Sequence, residues 1–185
     1  MAPAVADPAP ESVLALDPLE SIDRLLPDLR TRRSGLSDRE AARRPVAFGP
    51  NELVRRRGCG WLGELVQQLV YPLKVHMIRD SIPRLIEVRE LVPGDVIMVE
   101  EGDRLSADAR LLTGSVEMDV SMLTAESLPV LREADPFDPH GPILEALDMV
   151  FSGTNCTEGD ATAVVLGPRR LWARLGASSR QPGNS

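Results

Sequence analysis

The sequence is poor in aromatic residues, at 3%: three Phe, two Trp and one Tyr. Any core must therefore be assembled from aliphatic side chains, chiefly Val, Leu, Ile, Ala and Met. Cysteine is scarce too. Cys59 and Cys156 are the two present; each lacks a nearby Cys or His, which excludes a disulfide framework and reads as free thiols in a reducing compartment. Positive charge is in deficit, with 21 Lys and Arg against 28 Asp and Glu, a net charge of −7. An acidic chain argues against nucleic acid as a partner, because phosphate contacts need clustered Lys and Arg. No stretch approaches the roughly 18–20 uncharged apolar residues of a membrane helix. Met1 to Pro10 has neither the basic nor the apolar region of a signal peptide. The expectation is a soluble, cytoplasmic chain with one core, built on the 43% of residues that are hydrophobic.

Prolines 3, 8, 10 and 18 predict a flexible arm over 1–18. Helical spacing of Leu19, Ile22, Leu25 and Leu26 precedes Pro27. Ser37-Asp38-Arg39-Glu40 reads as a capping box, with Ser37 as N-cap and Glu40 reaching back. It opens a short helix through Arg44 that Pro45 should end. Gly49-Pro50-Asn51 reads as a turn. Trp61, Leu62, Leu65, Val66, Leu69 and Val70 form an apolar stripe at helical spacing. Arg55-Arg56-Arg57 stands just before it, a combination suited to an anionic membrane surface; a solvated charge cluster beside a core-packed helix is the plainer alternative. The segment 19–73 is thus expected to be helical.

From Lys74 the period changes to two. Val75, Met77, Leu85 and Val88 around Asp80-Ser81 predict a hairpin. Further strands are expected at Asp95–Val99, Ala109–Leu112, Val116–Val120, Val150–Thr154 and Ala161–Leu166. Turns are expected at Pro93-Gly94-Asp95, Gly102-Asp103, Thr113-Gly114-Ser115 and Gly159-Asp160, with a polar loop over Glu133–Gly141. Short strands at this spacing predict a mainly β fold with N-terminal helices, a distorted β-sandwich over 74–166, and a frayed tail over 167–185.

Chemistry-bearing patterns are few. His76 and His140 are isolated, so no metal site is expected, and no phosphate-binding glycine loop is present. Asp103 and Asp108 adjoin turns and are expected to cap them. In Thr124-Ala125-Glu126-Ser127, small hydroxyl residues flank a lone carboxylate on a tight loop. A carboxylate so held can orient a water or take its proton, although such a run is more often only a turn.

Leu91-Val92-Pro93-Gly94-Asp95-Val96, Gly102-Asp103-Arg104-Leu105-Ser106-Ala107-Asp108, Asp119 to Val130 and Val150-Phe151-Ser152-Gly153-Thr154 occur in that order. Together they resemble the actuator domain of P-type cation-transporting ATPases, a jelly-roll-like β module. Gly35-Leu36-Ser37, Glu40 to Arg44 and Phe48 to Leu53 resemble the N-terminal segment of the calcium-pump and sodium/potassium-pump branch. The resemblance covers about Gly35 to Leu166. It implies that a pump phosphorylated on an Asp in another domain receives the loop, whose Glu positions the hydrolytic water. That role falls to Glu126, with Thr124 and Ser127 shaping the loop. It also implies the phosphorylation and nucleotide-binding domains as partners, and ATP and Mg²⁺ as cofactors of the full-length family, with none expected in this chain. The alternative is a stand-alone regulatory module that docks on an intact pump.

Three departures stand out. Ala125 replaces the family glycine, and its Cβ costs about 1 kcal/mol wherever positive φ is needed. Val120 replaces a carboxylate, and Ser106 replaces a proline. The family's first membrane helix pair has no room either: Tyr71-Pro72-Leu73 runs directly into Lys74-Val75-His76. With no phosphorylated Asp motif in these residues, the expectation is a fragment that neither hydrolyses ATP nor moves an ion alone.

Overall fold

A computed structural model of the chain describes residues 17–48, 51, 74–121, 128–134 and 142–167. The expected arm up to residue 16, the 61–73 stripe, the Gly49-Pro50 part of the turn, Arg55–Arg57, Cys59, His140 and the tail beyond 167 lie outside these residues; at the end of the expected arm, Pro18 is buried and its carbonyl accepts from Arg110.

Among the described residues, two helices precede the sheet: α1 (Ile22–Asp28) and α2 (Asp38–Phe48). Seven described strands follow, namely β1 (Lys74–Arg79), β2 (Ile82–Glu87), β3 (Val96–Glu100), β4 (Asp108–Asp119), β5 (Val130–Glu133), β6 (Met149–Val150) and β7 (Asn155–Gly167). A single 3₁₀ turn, Val88–Glu90, joins β2 to β3. The strands form one antiparallel sheet in the order β2-β1-β3-β7-β4-β5, with β6 also paired to β4. The mainly β fold with N-terminal helices is borne out.

Period-two patterning sorts the side chains to the two faces. Met77, Ile97, Leu111, Ala163 and Val165 join one apolar cluster. Their neighbours Ile78, Val96, Leu112, Val164 and Leu166 join another, which α1 covers with Leu25, Leu26 and Leu29. The run Ala163–Leu166 is apolar throughout because β7 is buried on both sides. The first cluster also holds Leu105, Val116, Met118, Val120 and Cys156, from the far ends of β4 and β7 and the approach to β4. The long strands thus contribute to the first cluster from both ends, while their middles, Thr113–Ser115 and Thr157–Asp160, are exposed.

Several boundaries differ from the sequence expectation. Pro27 lies inside α1. The helix ends just after it, with Arg30 at φ 50°, the Arg30 N–H donating to the Pro27 carbonyl and the Thr31 N–H to the Leu26 carbonyl. That is a Schellman ending with Arg in the position glycine usually takes. Pro45 does not end α2, which continues to Phe48. The guanidinium of Arg44 is buried and donates to the carbonyls of Leu29 at 2.8 Å, Arg30 at 3.3 Å and Pro93. This anchoring offsets the backbone hydrogen bond that Pro45 removes. Ser37 Oγ accepts from the Glu40 N–H at 3.2 Å, so the N-cap stands. The Glu40 carboxylate lies 3.5 Å from Arg44.

Ala109–Leu112 and Val116–Val120 are not two strands. All but Val120 belong to the continuous β4, which carries register shifts between Leu111 and Thr113 and between Glu117 and Met118. Gly159-Asp160 is likewise inside β7 rather than a turn. Gly114 and Gly159, at φ 84° and 90°, explain both errors. A Cβ on Gly114 would overlap the Asp160 carbonyl, and one on Gly159 would overlap the Ser115 carbonyl. Each glycine lets β4 and β7 approach and bend without breaking the ladder. Glu133 closes β5 instead of opening a loop, and of Val150–Thr154 only Val150 is in a strand.

The hairpin and the turn at 93–94 are as expected, and the turn expected at Gly102-Asp103 falls one residue earlier, at 101–102. Asp80 and Ser81 both take positive φ, as a two-residue hairpin loop requires. Asp80 Oδ2 accepts from the Asp38 N–H at 3.1 Å, so the hairpin tip also caps α2. Asp95, wholly buried, takes a two-pronged contact from Arg79 at 2.9 and 2.8 Å and accepts from the Val92 N–H at 3.0 Å.

One buried ion pair ties the layers together. Arg110 on β4 lies 2.6 Å from Asp148 and donates to the carbonyls of Pro18 and Glu20, ahead of α1. Burial pushes the Asp148 carboxyl up, and Arg110 and Arg132 oppose that shift. Arg110→Met leaves Asp148 as a buried charge without its closest partner. It is expected to cost about 3–5 kcal/mol of unfolding free energy, measured by urea titration. The double variant Arg110→Met with Asp148→Leu should lose clearly less.

Candidate functional site

The residues singled out by sequence, Thr124, Ala125, Glu126 and Ser127, fall outside the described structure, which reaches Ser121 on one side and resumes at Leu128 on the other. What is described is the mount. β4 enters the segment and β5 leaves it, paired antiparallel from Ser115↔Glu133 to Met118↔Val130. β4 is paired on its other side to β7 from Asp108↔Gly167 to Asp119↔Asn155. The segment is therefore hung between two strands of a sheet, one of them central.

Its entry is shaped by Asp119. Oδ1 accepts from the Ser121 N–H at 3.0 Å, an Asx turn. Hydrogen bonds from the Ser121 side chain and backbone hold this exposed carboxyl below the usual carboxylate range. Val120, where the resemblance implies a carboxylate, is 2% exposed and sits in the first apolar cluster. An apolar residue is what this position requires here. On the exit side, Leu128 is 78% exposed.

Beneath the mount lies a second set of buried charges. Arg132 on β5 is buried, donates to the carbonyls of Leu144, at 3.0 Å, and Ala146, and stands 5.8 Å above the Phe151 ring. The Glu133 N–H donates to the Leu147 carbonyl at 2.9 Å. Segment 142–148 is thereby fastened to the exit strand. Sequence reasoning missed Arg132 and Asp148, because a lone charge in an ordinary-looking segment carries no mark of burial.

The expected turn-capping acids behave as such. Asp103 Oδ2 accepts from the Glu100 N–H at 3.0 Å, and Asp108 Oδ1 from the Ser152 N–H at 2.8 Å. Ser106 is buried, and its carbonyl accepts from Asn51 Nδ2 at 3.3 Å. Cys156, opposite Met118, is a free thiol that burial pushes up, which disfavours the reactive thiolate. Among the described residues, no group of three or more His, Cys, Asp or Glu is placed to hold a metal.

Comparison with known proteins bears directly on this arrangement. Residues 70–169 match the model of the P-type ATPase actuator domain, and residues 18–75 match that of the cation transporter/ATPase N-terminus. The chain belongs to the P-type ATPase family. Its described sheet, with the strands on either side of the 122–127 segment, falls wholly within the first match. The sodium/potassium-transporting ATPase subunit alpha-1 of Anguilla anguilla is 38% identical over 119 residues, 62% of this chain and 11% of that protein. The calcium-transporting ATPase of Bacillus subtilis (strain 168) is 38% identical over 95 residues, 50% of this chain and 11% of that protein. The crystal structure of a zinc-transporting PIB-type ATPase overlaps with a TM-score of 0.44 at 28% identity, covering 64% of this chain and 19% of that one. The chain thus spans about a tenth of the length of the curated relatives it matches. No described helix is long and apolar enough to cross a membrane.

The clamp on the exit strand is open to test. Arg132→Met strands the carbonyls of Leu144 and Ala146 and should cost about 2–3 kcal/mol. Hydrogen exchange at the Glu133 amide should quicken well before that at β3 or β7. Uniform acceleration across the sheet would contradict a local clamp.

Proposed function

We propose that this actuator domain serves dephosphorylation. Its Thr124–Ser127 segment delivers Glu126 to an aspartyl phosphate carried by the phosphorylation domain of a P-type cation-transporting ATPase. The observation that carries the reading is the mount, a pair of antiparallel strands, one central to a seven-stranded sheet, that enter and leave the segment. Hydrolysis of an acyl phosphate needs a water in line with the leaving oxygen and an acceptor for its proton. A carboxylate on a stiff support supplies the acceptor, and Thr124 and Ser127 supply hydroxyls that shape its approach. ATP and Mg²⁺ belong to the phosphorylating half of the cycle, in domains outside these residues.

Ala125 weakens the loop, since a Cβ hinders both positive φ and close approach to phosphate. The test uses a related pump, phosphorylated from labelled ATP, whose own loop Glu is changed to Gln. Adding the full chain should speed release of label. Glu126→Gln should abolish the gain, by a factor on the order of 10²–10⁴, and Ala125→Gly should increase it several-fold. No acceleration at any chain concentration would sink the proposal.

A second reading is supported by one observation. The N-terminal and actuator matches overlap at residues 70–75, so the two segments abut within one short chain. A module of this kind could dock on an intact pump and alter its turnover. Capture of the chain by an intact related pump at micromolar concentration, with altered ATP turnover, is the expected outcome. The reading also includes contact with a membrane surface through Arg55, Arg56, Arg57 and the 61–73 stripe.

A further inference from the structure

The connection between α1 and α2 meets the tip of the β1–β2 hairpin, and the two enclose a cavity of about 410 Å³. Backbone bonds hold its walls. The Asp80 N–H donates to the Leu36 carbonyl at 3.0 Å, and the Ser81 N–H to the Ser34 carbonyl at 2.9 Å. Thr31 Oγ1 donates to the Gly94 carbonyl at 2.6 Å and fastens the connection to the turn before β3. A space of this size falls within the roughly 300–1,000 Å³ of small-molecule sites. Such sites are mostly apolar, whereas this one is lined by the side chains of Arg30, Arg32, Ser34, Ser37, Glu40 and Asp80. The occupant it fits is therefore polar and charged.

The lining decides the sign of that charge. Among the described residues, no carboxylate lies within ion-pair distance of Arg30 or Arg32. Both side chains are exposed at the cavity, so their donors are available. The two acids, by contrast, are already engaged. Glu40 lies 3.5 Å from the buried Arg44, and Asp80 Oδ2 accepts from the Asp38 N–H at 3.1 Å. The first turn of α2 is thus capped from within, and the attraction comes from guanidinium groups rather than from the helix end. Arg30 also holds left-handed backbone, at φ 50°, where glycine would be unstrained. Two arginines without acid partners on one cavity favour an anion. Phosphate suits them, because a guanidinium fork makes parallel bonds to two of its oxygens, and the Ser34 and Ser37 hydroxyls add further donors. Glu40 and Asp80 each keep a second carboxylate oxygen, which repels a further anion but accepts from a hydroxyl.

We propose that this cavity binds a soluble phosphomonoester of a small hydroxylated molecule, its phosphate held by Arg30 and Arg32 and its hydroxyls by Glu40 and Asp80. β2 and β1 stand at the opposite end of the sheet from β4 and β5. The site is therefore separate from the strands on either side of the 122–127 segment and does not depend on the dephosphorylation role. A ligand here bridges the α1–α2 connection and the hairpin, so its binding fastens the helices to the sheet and stabilises the folded chain.

The test is calorimetric titration of the full chain with glycerol 3-phosphate, compared with inorganic phosphate, glycerol and vesicles containing phosphatidic acid. Glycerol 3-phosphate should bind at one saturable site, raise the melting temperature, and weaken as salt rises. Inorganic phosphate, which lacks the hydroxyls, should bind about tenfold less tightly, and glycerol should give no binding. Arg30→Gln and Arg32→Gln should each reduce affinity for glycerol 3-phosphate about tenfold or more. Arg24→Gln, on α1 and outside the cavity, should leave it unchanged. Arg32→Gln keeps the test valid if a change at the left-handed Arg30 lowers the melting temperature of the free chain. No saturable binding, affinity unaffected by the Arg32 variant, equal affinity for glycerol 3-phosphate and inorganic phosphate, or binding to the vesicles alone would each overturn the proposal. Arg32→Gln should leave the release of label from a phosphorylated pump unchanged, so failure here and failure of the dephosphorylation reading are read separately.

Discussion

The structure depends on burying arginine against backbone carbonyls. Arg44, Arg110 and Arg132 are each at most 8% exposed, and each donates to carbonyls of segments distant from its own. Arg110 spans from the centre of the sheet to the residues ahead of α1, and Arg44 spans from α2 to the end of α1 and the turn before β3. Of the three, Arg110 is the one in contact with a buried acid, Asp148, at 2.6 Å. The guanidinium suits this work, because its fork of five donors satisfies several acceptors at once and its charge is not titrated away. With so few aromatic rings available for wide apolar contacts, these polar joints fix how helices and sheet are registered. The helices α1 and α2 are consequently part of the same body as the β module.

That construction bears on the proposed activity. A group that aligns water against a phosphoryl centre gains from being held firmly, since small errors of placement are costly in rate. The support here is layered. β7 backs β4, β4 pairs with β5, and Arg132 fastens β5 to segment 142–148. The apolar Val120 joins the loop entry to the core, while Asp119 makes the turn.

Much of this was legible in the sequence, for identifiable reasons. The hairpin at Asp80-Ser81, the turns at Pro93-Gly94 and around Gly102, and the capping by Asp103 all depend on local chemistry, which neighbouring residues reveal. The mainly β character followed from a two-residue period. The failures share a cause in tertiary contact. Gly114 and Gly159 look like turn residues, yet each serves a close approach of two strands distant in sequence. Pro45 looks like a helix stop, yet the long-range bonds of Arg44 carry α2 past it. Arg110, Arg132 and Asp148 carry no local mark of their burial, because their partners lie in other segments. For the candidate site, the motif order gave the family and the residues Thr124 to Ser127, while only the strands that hold them are visible in the fold.

Asn51 bonds to the carbonyls of Val88 and Arg89, and Lys74 pairs with Glu87, so two described residues well separated in sequence are fixed side by side, with a consequence for how such proteins change in length. Once both ends of an excursion are pinned beside each other, the entropic cost of closing it rises only with the logarithm of its length, by about 0.6 kcal/mol for each doubling. Segments of very different size can be exchanged at that point with little effect on the sheet. A fold with this joint can trade a short surface loop for a long insertion, and the reverse, through single gene events that leave its core pairings untouched.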